Sequence, residues 1–266
     1  MLNLLRNLAS RHMLFVALCL VFLGGLEFLI CGLVATVDVS GVLKEVAKAV
    51  PSFLQALLSE QVLAGMTTRG LVAFGWNHPL ALALGAATAI ALASRSVAGE
   101  IENGMMELLL SQPLSRRNYL LTHLLFAAFT LAALSLAGML GTYLGQKNYG
   151  LNLFDARPLL QLALNFFLLQ MAWYSLALVL SVYARESGRV TGAVFLLVLA
   201  SFFAQVLGKL LPAAAWLLPY SLYTYYSPPE ILVESLFSTS SLTVLGSISA
   251  LGIGLSFWRF QQRDLP

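Results

Sequence analysis

The densest charge in this 266-residue sequence lies between residues 95 and 118 (RSVAGEIENGMMELLLSQPLSRRN), which hold Glu100, Glu102, Glu107, Arg95, Arg116 and Arg117. Carboxylates and guanidinium groups in this pattern offer ion pairing and charge-assisted hydrogen bonding, the chemistry of docking rather than of bond cleavage. If residues 100–111 are helical, Ile101, Met105, Leu108 and Leu109 share one face, and Glu100, Asn103 and Glu107 share another. Pro113 then ends the helix, and Ser115 is a natural N-cap for the next one. Arg116 and Arg117 fall in the first turn of that second helix, where its dipole disfavours positive charge by about 0.3–1 kcal/mol each. Anionic headgroups, the topology or acidic groups on a partner must compensate.

Three further sets of polar residues sit in apolar surroundings. Glu27 is an acidic residue deep in an apolar run, where an ionisable side chain is functional by default. It is a candidate to pair with a cation, relay a proton or touch a substrate, and equally a candidate for a neutral carboxyl. Gln161 and Asn165, four apart, with Gln170 beyond, either line a pathway or hydrogen-bond between helices. His123 has no companion at metal-ligand spacing, so no metal site is expected and the imidazole reads as structural or headgroup-facing. An intramembrane enzyme would need a Ser/His pair, paired aspartates or a His/Glu cluster; Glu27 and His123 stand apart.

The elements that position these groups are membrane helices. The chain is 59% hydrophobic and 10% charged, with a mean hydropathy of +0.83, whereas soluble domains carry about 25% charged residues. The net charge of +3 is small and its basic residues are dispersed, which excludes a nucleic-acid binder. Crossing the hydrocarbon takes roughly 20 apolar residues. Six runs qualify, at 13–35, 79–97, 119–144, 159–183, 190–207 and 240–258. The expected fold is therefore all-α and polytopic, a single transmembrane domain over residues 1–266 with a short basic amphipathic helix at its N-terminus. Cys19 and Cys31 both lie in the first run, about 18 Å apart along a helix, too far for a disulfide. That run is also too long for a cleavable signal.

The loop charges set the orientation. Arg6, Arg11, Arg95, Arg116, Arg117, Arg185, Arg189, Arg259 and Arg263 fall on one side, and Lys44, Lys48, Arg69, Lys147, Arg157 and Lys209 on the other. The arginine-rich side, with both termini, is expected in the cytoplasm. On the outer side, residues 42–58 read as a broken amphipathic helix interrupted by Pro51. Residues 209–234, rich in tyrosine and broken by Pro212, Pro219, Pro228 and Pro229, read as a re-entrant or interfacial pair of short helices with an aromatic belt. Small residues mark close helix contacts, within one subunit or at a dimer seam: Ala81, Gly85, Ala89 and Ala93; Gly141 and Gly145; Ala200, Ala204 and Gly208; Gly246, Ala250 and Gly254.

The stretch from Gly99 to Leu121 (GEIENGMMELLLSQPLSRRNYLL) resembles the loop between the second and third spans of type-2 ABC exporter permeases. Their pattern is Gly-Glu-x-Glu-x-Gly-Thr-x-Glu-Leu-Leu-Leu-x-x-Pro-hydrophobic-Ser-Arg. Glu100, Glu102, Gly104, Glu107, Leu108 to Leu110, Pro113, Ser115 and Arg116 match it, and Met105 replaces the usual threonine. The outer YYSPPEIL and the ending FWRFQQRDLP resemble the same family. The resemblance implies an exporter of the bacterial or archaeal cytoplasmic membrane, with two permease subunits, identical or paralogous, and two copies of a separate ATPase. Residues 95–118 would be the coupling loop: Glu100, Glu102 and Glu107 meet the ATPase or brace the loop, and Arg116 and Arg117 anchor its return. The chain has no G-x-x-x-x-G-K-[ST] phosphate loop, so ATP and Mg are expected on the partner and no cofactor on this chain. An alternative keeps the fold and passes ATP-driven force to a periplasmic partner without transport.

Overall fold

The structure is a computed structural model and describes residues 2–36, 67–106 and 115–263. The expected outer helix over 42–58, together with Glu107, Leu108 to Leu110 and Pro113, lies outside the described residues. The long helices are α1 (Leu2–Thr36), α2 (Thr68–Asn77) with α3 (Pro79–Ser94), α4 (Arg116–Asn148), α5 (Ala156–Tyr183), α6 (Ser187–Leu210) and α8 (Thr239–Gln262), with the short α7 (Pro228–Leu232) before the last. Six helical stretches are long and apolar enough to cross a membrane, and the protein is an all-α polytopic membrane protein. The basic N-terminal segment is helical and runs into the first span without a break.

In lipid, burying apolar surface does not by itself bring helices together, so the contacts are made where backbones can approach closely. Gly141 of α4 shows this best: a Cβ there would stand 2.1 Å from the Gly24 carbonyl oxygen of α1. On α3 the predicted small-residue face, Ala81, Gly85, Ala89 and Ala93, is wholly buried. The other two small-residue faces turn out differently. On α6 Gly208 is buried against Leu218 while Ala200 is exposed; on α8 Ala250 and Gly254 are exposed, and the helix packs inward through Leu245, Ser249, Gly252 and Ser256. The helix α5 is the hub, with 72% of its most apolar window buried; α1 and α6, with 22% each, lie at the edge.

The second span is longer than the 79–97 expected from sequence, running from Thr68 to Glu102. Pro79 reads as a start, yet it sits at a joint between α2 and α3. Pro79 has no N–H to give Gly75, whose carbonyl instead accepts from the His78 N–H at 3.0 Å. The Leu80 N–H turns to His78 Nδ1 at 3.3 Å, and the Trp76 carbonyl accepts from the Tyr226 hydroxyl at 3.1 Å. The Gly75 and Trp76 carbonyls and the Leu80 N–H thus find partners, the kind of satisfaction that allows such a joint at membrane depth.

Residues 209–234 form two 3-10 helices, Pro212–Tyr220 and Leu222–Tyr225, followed by α7. Tyr223 and Tyr226 are buried while Trp216 and Tyr220 are exposed, so the aromatic residues divide between anchoring and surface. Gln205 Nε2 on α6 donates to the Tyr223 carbonyl at 2.9 Å, and Ser221 Oγ donates to the Ser201 carbonyl at 2.7 Å.

Candidate functional site

The second span does not end at the membrane edge as an ordinary α-helix. After Ser94 it loosens into a π turn, Arg95–Gly99, then tightens to a last turn, Glu100–Glu102. Turns of this wide kind gather at functional sites. The Ala98 N–H donates to Ser181 Oγ of α5 at 3.0 Å, and the Tyr119 hydroxyl of α4 donates to the Ser96 carbonyl at 2.5 Å. Two neighbouring helices therefore hold the wide turn in place. Gly104, at φ +68, stops the helix, with its N–H on the Ile101 carbonyl at 3.0 Å; a side chain is strained at that angle. The continuous helix expected over 100–111 is interrupted here, and Ile101 and Met105 do not continue one helical face across the break.

The two glutamates of that last turn grip two different helices. Glu100, itself buried, accepts from Arg11 Nη1 of α1 at 2.9 Å. Glu102 is exposed, and its Oε2 accepts from both the backbone N–H (2.9 Å) and the hydroxyl (2.6 Å) of Ser187, the first residue of α6. A helix start leaves its first N–H groups without internal partners and carries partial positive charge. Glu186, the N-cap residue, makes no side-chain cap bond, so Glu102 supplies the missing carboxylate from another helix.

Arg116 meets a different kind of partner from those the sequence suggested. Its Nη1 donates to the carbonyls of Phe260 and Gln261 at 3.4 Å and of Arg263 at 2.5 Å. These carbonyls end α8, where the dipole is negative, so the C-terminus of one helix offsets the unfavourable N-terminus of another. Arg263 in turn donates to the carbonyls of Val182 and of Ala184 (2.9 Å) at the end of α5. Burial, and after it the charges of Arg185 and Arg259, lower the Arg263 pKa. Ser115 caps α4 as predicted, accepting from the Asn118 N–H at 3.2 Å, and Arg117 is exposed.

Sequence reasoning missed Arg11, Ser187 and Arg263 as members of this cluster. The signal for Arg11 was its place in the basic N-terminus; for Ser187, an uncapped helix start. Together with Arg95, Gly99 and Asn103, the residues Arg11, Glu100, Glu102 and Ser187 line a recess of about 270 Å³.

The polar residues within the spans are buried but dispersed. Glu27 Oε2 accepts from Thr142 Oγ1 at 3.5 Å, Thr142 Oγ1 accepts from Trp76 Nε1 at 3.0 Å, and Glu27 Oε1 has no partner among the described residues. Asn165 Nδ2 donates to the Tyr225 carbonyl at 3.1 Å. Gln170, fully buried and with its amide unpartnered among the described residues, lies against Gly85, where a Cβ would come within 2.5 Å of its Nε2. Gln161 is half-buried. His123 is buried with its ring 4.7 Å from that of Tyr119.

The family model described as ABC-2 family transporter protein matches residues 5–265 of the chain. No curated protein in the comparison matches it.

Proposed function

We propose a function from one premise: the chain belongs to the ABC-2 family of transporter proteins. It is a membrane permease subunit of an ABC transporter. Beyond that, our reading is an exporter of the bacterial or archaeal cytoplasmic membrane, with both termini and residues 95–118 on the cytoplasmic side. Two ATPase subunits bind ATP and Mg, and two permease subunits form the pathway between them.

The observation that carries the reading is the double grip of the Glu100–Glu102 turn. Glu100 holds α1 through Arg11 and Glu102 holds α6 through Ser187. These are the two spans least covered by the rest of the chain. A push on this turn by a closing ATPase therefore reaches the helices free to move against lipid or a second subunit. The start of α4 and the ends of α5 and α8 stay fastened to one another by the Arg116 and Arg263 carbonyl contacts, and α1 turns about its close crossing with α4 at Gly24 and Gly141. Such motion is a rigid-body shift of packed elements between two arrangements. Glu107 and Arg117 belong to the same loop and would face the ATPase. Glu27, Gln161, Asn165 and Gln170 remain candidates for the pathway, reached once α1 and α6 have moved.

Isolation of the full chain from its native membrane in mild detergent tests the reading. An ATPase subunit should accompany it in equal amount, and a protease added outside sealed cells should leave residues 95–118 uncut. A chain that never carries an ATPase, or a loop cut from outside, overturns the proposal.

A further inference from the structure

Within the recess at the end of the second span, the charges are unevenly satisfied. Arg11 is paired with Glu100 at 2.9 Å, and Glu102 Oε2 takes both donors of Ser187. Arg95 is exposed on the π turn and, among the described residues, has no hydrogen-bond acceptor or ion-pair partner. Arg11 uses one of its five N–H donors on Glu100, and Glu102 Oε1 carries no hydrogen bond from the described residues. The recess, of about 270 Å³, is therefore lined both by unused guanidinium donors and by an unused carboxylate oxygen. Its formal charge balances, two arginines against two glutamates.

A neutral recess with separated charges suits a zwitterion better than a simple anion. Its place decides the source. It opens where α3 gives way to the polar loop, between α1 and α6, whose outer faces are the most exposed of the spans. An arginine on a helix end at that depth reaches up to the level of lipid phosphates.

We propose that this recess binds the headgroup of an inner-leaflet phospholipid of the phosphoethanolamine type. The phosphate diester accepts from Arg95 and from the spare donors of Arg11. The primary ammonium donates to Glu102 Oε1. A phosphocholine headgroup has the same phosphate but no N–H to give, and a phosphoglycerol headgroup has no cation for the carboxylate. The site goes beyond the permease reading, and rests on it only for placing this end of the bundle at the inner leaflet. It does not require the ATPase, so its test uses the permease chain alone.

The full chain, purified in detergent, is titrated with short-chain phosphatidylethanolamine, phosphatidylcholine, phosphatidylglycerol and inorganic phosphate, and bound lipid is counted by native mass spectrometry. Phosphatidylethanolamine should bind about tenfold or more tightly than the other two lipids, the ratio expected for one charge-assisted hydrogen bond. Arg95→Gln should remove this binding. Glu102→Gln should abolish the preference over phosphatidylcholine while leaving Arg95-dependent binding, and Arg157→Gln, at the opposite end, should change nothing. Equal binding of the three lipids, or binding that survives Arg95→Gln, overturns the proposal. Competition by inorganic phosphate as effective as that of the lipid also overturns it, by making this a free-anion site. Binding seen only when an ATPase is present overturns it in favour of a protein contact.

Discussion

Arg116 donates from its guanidinium to the backbone carbonyl of Arg263 at 2.5 Å, across a sequence separation of 147 residues. Arg263 passes the same kind of contact on, to the carbonyls of Val182 and Ala184. Three helix ends are thereby fastened at one level: the start of α4, the end of α8 and the end of α5. None of these contacts is an ion pair. Each places a cation on carbonyls that a helix terminus leaves without N–H partners.

Removing that fastening should loosen the hub side of the bundle. Arg116→Ala leaves α8 without its three-carbonyl partner and should lower stability by about 1–2 kcal/mol, seen as a lower melting temperature in detergent. Arg116→Lys should recover only part of the loss: its ammonium can donate from one nitrogen as Arg116 Nη1 does, but it sits on a shorter side chain.

The α1–α4 crossing depends on the missing side chain at Gly141. Gly141→Ala drives a Cβ into the Gly24 backbone and should destabilise the protein by about 1–3 kcal/mol. Gly25→Ala, where a Cβ meets nothing within 4 Å, is the control and should be near neutral. Parallel melting curves of the two variants make the comparison.

At the proline joint, Tyr226→Phe changes almost no volume yet removes the donor to the Trp76 carbonyl. That carbonyl has lost its helical donor, since the Leu80 N–H is bonded to His78. The variant should therefore cost about 1–3 kcal/mol, the penalty of a buried unpaired acceptor, in the same melting assay.

Much of this architecture is legible in the sequence, and the failures have a common physical cause. Six apolar spans, the small face of α3 and the Ser115 cap depend on local spacing, and each is present, with only the second span starting well before its expected position. The small residues of α6 and α8 are only partly packed within the chain, Gly208 against Leu218, because lipid is as apolar as the protein interior and a stripe of alanine and glycine does not say which side it faces. Ala250 and Gly254 face outward while Gly252, two residues away, packs on Ser175. The start of the second span was hidden by Pro79, whose local signal is a helix beginning and whose actual position is a joint made tolerable by Tyr226. In the charged stretch, the residue types were readable and their partners were not. Arg11 lies 89 residues from Glu100 and Ser187 lies 85 from Glu102, distances over which spacing carries no information.

The central claim, that one turn moves α1 and α6 together, is tested by a distance measured across them. Spin labels at Leu18→Cys on α1 and Leu196→Cys on α6, both exposed positions, are placed in a Cys19→Ser, Cys31→Ser background, in the reconstituted permease–ATPase complex. Trapping the ATPase in its ATP-bound form should shift the distance distribution, and adding Glu100→Ala with Glu102→Ala should abolish that shift while ATP hydrolysis continues. A nucleotide-driven shift that persists unchanged in the double variant contradicts the account.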